Sequence, residues 1–142
     1  MLHSIDVNGF LISVSDTWLA RLGYSRGEVI GKRSVDFMTA ESRARAINTV
    51  LPAFFLTGRC DDVEYEMVTR SGEVVEVLLS AVLERDACGR PLHTTAVIQD
   101  VTSRRRTERA LREERQHLAY IIEGTHAGTW ERNIQTGETR FN

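Results

Sequence analysis

The sequence predicts an α+β domain in which helices cover one face of an antiparallel sheet. Apolar residues alternate with period two at residues 2–14 and again at residues 63–101, but recur at three- and four-residue steps at residues 16–56. A helical segment between two groups of antiparallel strands must pack against the sheet that those strands form. With 142 residues, 42% of them hydrophobic and 27% charged, the chain can bury one ordinary core.

A hairpin is the first predicted element. Short apolar runs at residues 2–5 and 10–14 flank a turn that contains Asn8 and Gly9. An Asn-Gly pair commonly closes a tight turn, because both residue types accept the positive φ that such turns require. The sequence therefore predicts two antiparallel strands at the start of the chain.

Two short helical segments are predicted after the hairpin. Ser15 or Asp16 can cap a helix whose apolar residues recur at helical spacing. Gly23 ends this helix, since glycine readily adopts the left-handed conformation that follows a last helical turn. One further helical turn is predicted at residues 26–30, where Gly31 stops it.

A longer helix is predicted at residues 40–56, after an irregular segment that carries Phe37 and Met38. Pro52 lies inside this helix. Because proline lacks a backbone N–H and clashes with the preceding turn, we predict a kink or a restart at that position.

Three further antiparallel strands complete the predicted sheet. After Gly58 the period becomes two, and turns at residues 70–73 and 86–90 separate the strands. The middle strand is apolar on both faces: one face carries Val75, Val77, Leu79, Ala81 and Leu83, and the other carries Val74, Leu78 and Val82. We therefore expect the second face to pack against another surface, which a partner subunit or a flanking helix could supply.

The last strand passes without glycine or proline into a charged helix at residues 103–122. Oppositely charged residues four positions apart, such as Arg104 and Glu108, support an exposed helix. Leu111 and Leu118 mark a narrow apolar seam, shorter than the three or four heptads that establish a coiled coil. We predict that Asp100 pairs with one of the arginines at positions 104–106 and that Thr102 or Ser103 caps the helix.

Composition excludes several classes of function. The formal net charge is −2, so the chain has no overall basic field that would hold nucleic acid or an anionic membrane. No signal sequence and no apolar run of membrane-spanning length occur, which predicts a soluble, cytoplasmic fragment.

The residue types that carry catalysis are scattered. Cys60 and Cys88 are too few for a disulfide framework or a thiolate metal site. The histidines have no metal-ligand spacing and are interpreted as surface or internally satisfied groups; they are His3, His93, His117 and His126. No nucleophile elbow, Walker loop or zinc-protease motif is present, so we predict no enzyme and no metal site within this chain.

Three stretches together resemble the PAS domain family. "DVNGFLISVSDTWLARLGYSRGEVIGK" is similar to the opening hairpin, strand and short helix of that family, and "EYEMVTRSGEVVEVLLSAV" is similar to two of its later strands. "IQDVTSRRRTERAL" resembles its Asp-x-Thr ending and linker helix, with Asp100 and Thr102 in the two positions. The resemblance implies a PAS domain at residues 1–102 with a five-stranded sheet, and a signalling helix at residues 103–122.

The remaining residues, 123–142, resemble the truncated start of a second PAS unit. Tandem units of this kind imply a multidomain bacterial sensor, for which we favour a GGDEF diguanylate cyclase effector. The alternatives are a sensor histidine kinase, or a structural dimerisation spacer without a ligand. The resemblance also implies a homodimer that associates through the sheet face and the linker helix, and a relay that includes Asp100, Thr102, Arg104 and Arg105.

The sequence identifies no cofactor, and it disfavours haem ligated by the long helix and a flavin adduct of the LOV type. The predicted long helix contains no histidine to ligate haem, and the segment after "GYS" lacks the cysteine of flavin-binding LOV domains. A flavin bound without a covalent adduct, or a haem held by another residue, stays open. The resemblance to PAS domains otherwise implies a small organic ligand between the sheet and the helices, or no ligand. The residues predicted to line such a cavity are Phe37, Ile47, Leu51, Tyr65, Met67, Leu79, Thr95 and Val97.

Overall fold

Five antiparallel strands form one sheet in the order β2-β1-β5-β4-β3, which confirms the predicted α+β class and the five-stranded sheet. The computed structural model describes residues 1–124, 130–132 and 139–141. In chain order the elements are β1 Leu2–Ile5, β2 Leu11–Val14, α1 Asp16–Leu22, α2 Arg26–Val29, α3 Ala40–Arg45, α4 Leu51–Thr57, β3 Arg59–Val68, β4 Val74–Arg85, β5 Pro91–Asp100, α5 Thr102–Gly124, β6 Trp130–Arg132 and β7 Thr139–Phe141.

The first hairpin is closed by a side chain as well as by its glycine. The Asp6 carboxylate accepts hydrogen bonds from the backbone N–H of Asn8, at 2.8 Å, and of Phe10, at 3.0 Å. Gly9 has φ +87°, a conformation in which a Cβ would be strained. The turn that the sequence predicts at this position is therefore present, and it fixes β1 against β2.

Helix α1 begins and ends where the sequence predicts. The Ser15 hydroxyl accepts from the N–H of Trp18 at 3.2 Å, so Ser15 is the cap. Gly23, at φ +78°, donates its N–H to the carbonyl of Leu19 at 2.8 Å. Trp18 and Leu22 are fully buried, which directs this short helix into the core.

The predicted long helix is divided into three parts. Helix α3 leads into a π turn over Ala46–Val50, and α4 starts at Leu51 with Pro52 in its first turn. The Leu51 N–H donates to the Ala46 carbonyl across the π turn, and Pro52 follows in the first turn of α4, where the fixed φ of proline suits a helix. The predicted restart at Pro52 is confirmed.

The core lies between the helices and the face of the sheet that they cover, called here the inner face. It includes Trp18 and Leu22 from α1, Phe54 from α4, and Val75 and Val77 from β4. A short 3-10 turn, Ser34–Phe37, adds Phe37, whose ring packs edge-on against Trp18 with 5.5 Å between ring centroids.

The chain divides into two compact units, residues 1–102 and residues 103–142. In the second unit, the residues of α5 after Thr102 are exposed apart from the partly buried Arg105, and β6 pairs antiparallel with β7. The turn that joins these two strands lies outside the described residues. None of the helices that the structure describes is long and apolar enough to cross a lipid bilayer.

Candidate functional site

A small cavity lies between the inner face and the helical layer. Its volume is about 40 Å³. A single water needs roughly 10–15 Å³ on this measure, so the space holds about three water molecules or a molecule of similar size. It is lined by His3, Ile5, Ser34, Val35, Met38, Ala46, Val50, Leu51, Phe54, Cys60, Tyr65, Leu79, Ala81, Thr94 and Ala96.

The residues that the sequence predicted for this cavity occupy three kinds of position. Leu51, Tyr65 and Leu79 line it. Phe37 and Met67 are buried in the same core without lining the cavity. The remaining three, Ile47, Thr95 and Val97, lie outside it.

The structure places Ile47 outside the cavity wall, and its neighbour Ala46 lies there instead. Ile47 is 39% exposed, while Ala46, Val50 and Phe54 line the cavity. These three residues recur at four-residue steps, as expected for one side of a helix. Because Ala46 and Ile47 are both apolar, the spacing alone allowed either of them to face the sheet.

The inner face of β5 is the opposite of the predicted one. Thr94, Ala96 and Ile98 are buried, whereas Val97 is 55% exposed. The Thr95 hydroxyl lies 3.3 Å from a carboxylate oxygen of Glu84 on the outer side. The strand carries apolar residues in both phases, Val97 in one and Ala96 and Ile98 in the other, so the alternation alone did not decide which phase faces the helices.

His3 is a cavity residue that the sequence interpretation missed. It lies on β1 between Val14 of β2 and Ala96 of β5, and only 5% of it is exposed. Its Nδ1 atom is buried without a hydrogen-bond partner, a condition that typically costs about 1–3 kcal/mol. The alternation of β1, in which His3 and Ile5 share a face, was the signal that could have identified it.

Burial also determines the ionisation of the polar groups in the wall. It lowers the pKa of His3 to about 4 and raises the pKa of Tyr65 to about 12. Burial likewise raises the pKa of the Cys60 thiol. All three groups are therefore neutral near pH 7.

Large cofactors do not fit this cavity. Pockets that hold ligands of drug size or larger have volumes of roughly 300–1,000 Å³, far above the volume found here. A flavin or a haem would require the core residues to move apart. Among residues 1–124, no three histidine, cysteine or acidic side chains lie close enough together to hold a metal ion.

A second polar cluster, here called the junction, joins the end of the sheet to the start of α5. Thr102 is buried, and its hydroxyl accepts from the N–H of Glu76 at 2.9 Å. The N–H of Val101 donates to the Glu76 carbonyl at 2.9 Å. The first residue of α5 is therefore hydrogen-bonded to strand β4.

Asp100 organises the junction. Its Oδ1 accepts from the N–H of Thr102, at 2.9 Å, and from the Thr102 hydroxyl, at 2.6 Å. Burial alone would raise the pKa of Asp100, but the hydrogen bonds from Thr102 and Arg21 outweigh it and hold that pKa below its usual value. The carboxylate is thus ionised at neutral pH and caps the helix start.

The ion pair of Asp100 comes from α1, whereas we expected it from the arginines at 104–106. Arg21 Nε lies 2.6 Å from Asp100 Oδ2, and Arg21 Nη2 lies 3.6 Å from Glu73 Oε1. Arg104 instead pairs along α5 with Glu108, at 3.8 Å, and Arg105 is partly buried. Arg21 was missed because 79 residues separate it from Asp100.

Comparison with known proteins identifies the fold. The family model described as "PAS domain" matches residues 1–103. Comparison with curated protein sequences gives no significant match.

Solved structures of the same fold cover most of the first unit. A PAS domain from Colwellia psychrerythraea is 18% identical, with a TM-score of 0.65 over 72% of this chain and 86% of that one. The PAS domain of an HTR-like protein from Haloarcula marismortui is 24% identical, with a TM-score of 0.59 over 70% and 79%. The light-state dimer of the fungal blue-light photoreceptor Vivid is 19% identical, with a TM-score of 0.59 over 70% and 76%.

Proposed function

The chain belongs to the PAS domain family, and we propose that it is the sensory and dimerisation domain of a larger bacterial signalling protein. In this proposal the state of the cavity is relayed through the junction to α5 and to an effector beyond it. The unit itself catalyses no reaction. The parent protein acts in the cytoplasm.

The observation that carries the proposal is the attachment of Thr102. The residue is buried at the end of the sheet, and both its N–H and its hydroxyl are hydrogen-bonded there. Strand β4 supplies Leu79 and Ala81 to the cavity wall and Glu76 to the junction. A displacement of β4 by a ligand would therefore act on the first residue of the helix.

A test of the relay compares substitutions on the two faces of β5. Ala96→Val adds two methyl groups to the cavity, whereas Val97→Ala changes the next residue on the outer face. Measured at concentrations at which the chain is monomeric, so that neither substitution acts through a dimer interface, Ala96→Val should change amide hydrogen exchange at residues 101–108 by about tenfold and Val97→Ala should leave it within about twofold. The effect of Ala96→Val should disappear in a Thr102→Val background. Equal exchange in all of these proteins would reject the relay.

We also propose a homodimer. Leu2 and Val97 face each other across β1 and β5 and are 48% and 55% exposed, and Val82 on β4 continues this apolar surface. Helix α5 exposes a second apolar set, Leu111, Leu118, Ile121 and Ile122. A second copy of the chain offers matching apolar surface to both sets, and the name of the Vivid structure records a dimer in that protein.

The dimer proposal is tested by sedimentation equilibrium over a range of concentrations. A charge at Val97 would have to be desolvated in the interface, so Val97→Glu should raise the dimer dissociation constant at least about tenfold. Leu56→Glu is the control, because Leu56 is 86% exposed on α4. A wild-type chain that stays monomeric, or two variants with equal effect, would contradict the proposal.

For the effector we propose a GGDEF diguanylate cyclase, with a sensor histidine kinase as the alternative. The support is the resemblance of residues 123–142 to the start of a second PAS unit. A structural spacer is the second candidate function, and the observation that favours it is the small volume of the cavity, which leaves the core nearly filled. If the domain is a spacer, it should form the dimer, but Ala96→Val should leave amide hydrogen exchange at residues 101–108 unchanged.

A further inference from the structure

The wall of the cavity contains no ionised group among the residues that the structure describes. Its polar side chains are all neutral types, and no Asp, Glu, Lys or Arg is among the residues that line it. Arg45, an exposed residue, lies over the Tyr65 ring at 5.3 Å from its centroid and does not line the cavity. An ionised ligand would therefore lose its hydration without gaining a counter-charge.

One ring in this wall has an unmet hydrogen bond. The backbone of His3 is held between two strands, and its Nδ1 has no partner. Thr94 lies on the neighbouring strand and the same face, and its hydroxyl accepts from the N–H of Ile5 at 3.2 Å. His3 is consequently the group in the wall for which an incoming polar atom brings the largest gain.

The remaining surface is apolar and the space is small. Ile5, Leu51, Phe54 and Leu79 contribute aliphatic or aromatic surface. A volume of about 40 Å³ corresponds to about three waters, so an occupant has only a few non-hydrogen atoms.

From charge, hydrogen bonding and size together, we infer that the cavity binds an uncharged molecule of a few non-hydrogen atoms, with an apolar body and one hydroxyl or carbonyl end that His3 recognises. The inference rests on the proposed sensory function and specifies its ligand class. A neutral imidazole can either donate to a carbonyl or accept from a hydroxyl, so one ring serves both kinds of ligand.

The inference is tested by NMR titration of the full chain at pH 7 with two probes of similar shape. Isopropanol carries a hydroxyl and acetate carries a carboxylate, and both have the same branched skeleton of four non-hydrogen atoms. We expect isopropanol to shift the amide signals of β1 and β5 and the ring nitrogens of His3 in a saturable manner. Acetate should cause no saturable shift at these positions.

Three variants assign the effect to the imidazole. His3→Phe and His3→Leu remove the hydrogen bond with different side-chain shapes, so that a folding defect in one leaves the other informative. Each should weaken isopropanol binding by about tenfold, a value typical of one lost hydrogen bond. The matched control is His117→Phe, which makes the same substitution on the exposed surface of α5.

Three outcomes would overturn the inference: acetate binding as tightly as isopropanol, unchanged isopropanol binding in both His3 variants, or no saturable shift with either probe. None of them rejects the relay, because the hydrogen-exchange comparison of Ala96→Val with Val97→Ala uses no ligand. A failed relay with successful isopropanol binding would instead reject the sensory function and keep the site.

Discussion

At the scale of single residues, His3 is the residue of the described cavity wall that has a buried side-chain atom without a hydrogen-bond partner. An imidazole in water exchanges hydrogen bonds freely, but this one is enclosed in the sheet and Nδ1 finds no partner. The strand that carries it cannot move aside, since it pairs on both edges with β2 and β5. The residue thus lowers the stability of the empty domain and favours an occupied cavity.

The pH dependence of stability should reveal His3. Its pKa is lowered from 6.5 to about 4 on folding, so below pH 6.5 the unfolded chain binds a proton that the folded chain does not. Stability contributed by the neutral ring is complete above pH 6.5 and is lost as the pH falls towards 4. The loss amounts to about 3 kcal/mol in the free energy of unfolding.

Urea denaturation of wild type and His3→Phe between pH 7.5 and 4.5 measures this term. Carboxylates titrate in both proteins, so their contributions largely cancel in the difference. We expect the free energy of unfolding of the wild type to decrease steadily, relative to that of His3→Phe, as the pH falls. Two parallel stability curves would show that the ring is not neutral and enclosed in the folded state.

The stability of the domain should depend on the hydroxyl of Thr102 more than on the shape of that side chain. Thr102→Val keeps the volume but leaves the buried N–H of Glu76 without its acceptor, which should reduce the free energy of unfolding by about 1–3 kcal/mol. Thr102→Ser keeps the hydroxyl and loses one methyl group, so it should cost about 1 kcal/mol or less. If chemical denaturation showed Thr102→Val to be more stable than Thr102→Ser, this role of the hydroxyl would be contradicted.

At the scale of elements, the ends of the helices are set by local backbone requirements. Gly23→Ala places a side chain at φ +78°, where the left-handed conformation costs about 1–2 kcal/mol. The new Cβ would lie 3.7 Å from Cβ of Arg70, an ordinary contact, so the cost is one of backbone strain. We expect a corresponding decrease in the free energy of unfolding.

Gly27→Ala is the matched control for that change. Gly27 lies in α2 without a positive φ, and a Cβ there meets nothing within 4 Å. Alanine restricts the unfolded chain more than glycine does, so the free energy of unfolding of this variant should increase by up to about 1 kcal/mol. Thermal denaturation of the two variants should therefore move the melting temperature in opposite directions.

The elements could be predicted from the sequence where their signals are local. Ser15 caps α1 through a neighbour three residues away, and Pro52 restarts a helix within one turn of itself. The inner face of β5 could not be predicted, because Val97 and Ala96 offer an apolar residue in either phase. Ala46 and Ile47 are likewise consecutive apolar residues, so only the packing of the helix on the sheet decides which of them faces the cavity.

The candidate site depends on contacts that no local pattern encodes. Asp100 and Thr102 were identified from the resemblance to the PAS family, but Arg21 joins them only after the whole sheet has formed. His3 shares the cavity with Thr94 and Ala96, which lie at the other end of the first unit. Sequence analysis therefore identified the fold and one side of the junction, and only part of the cavity wall.

At the scale of the whole molecule, the first unit holds the entire described core. Every member of that core lies between Ile5 and Ile98. Residues 1–103 should consequently fold alone, with one cooperative urea transition and a free energy of unfolding within about 1 kcal/mol of that of the full chain. A non-cooperative transition would show that residues 104–142 contribute to the core.

The order of the strands also has a consequence for synthesis. Leu2 pairs with Val97, so the middle of the sheet joins the beginning of the unit to its end. On the ribosome, at about 5–20 residues per second, β1 waits on the order of ten seconds for β5 to be made. Until then the β1–β2 and β3–β4 hairpins have unpaired edges, which attract other chains. The nascent domain is therefore most exposed to chaperones and to aggregation just before its last strand emerges.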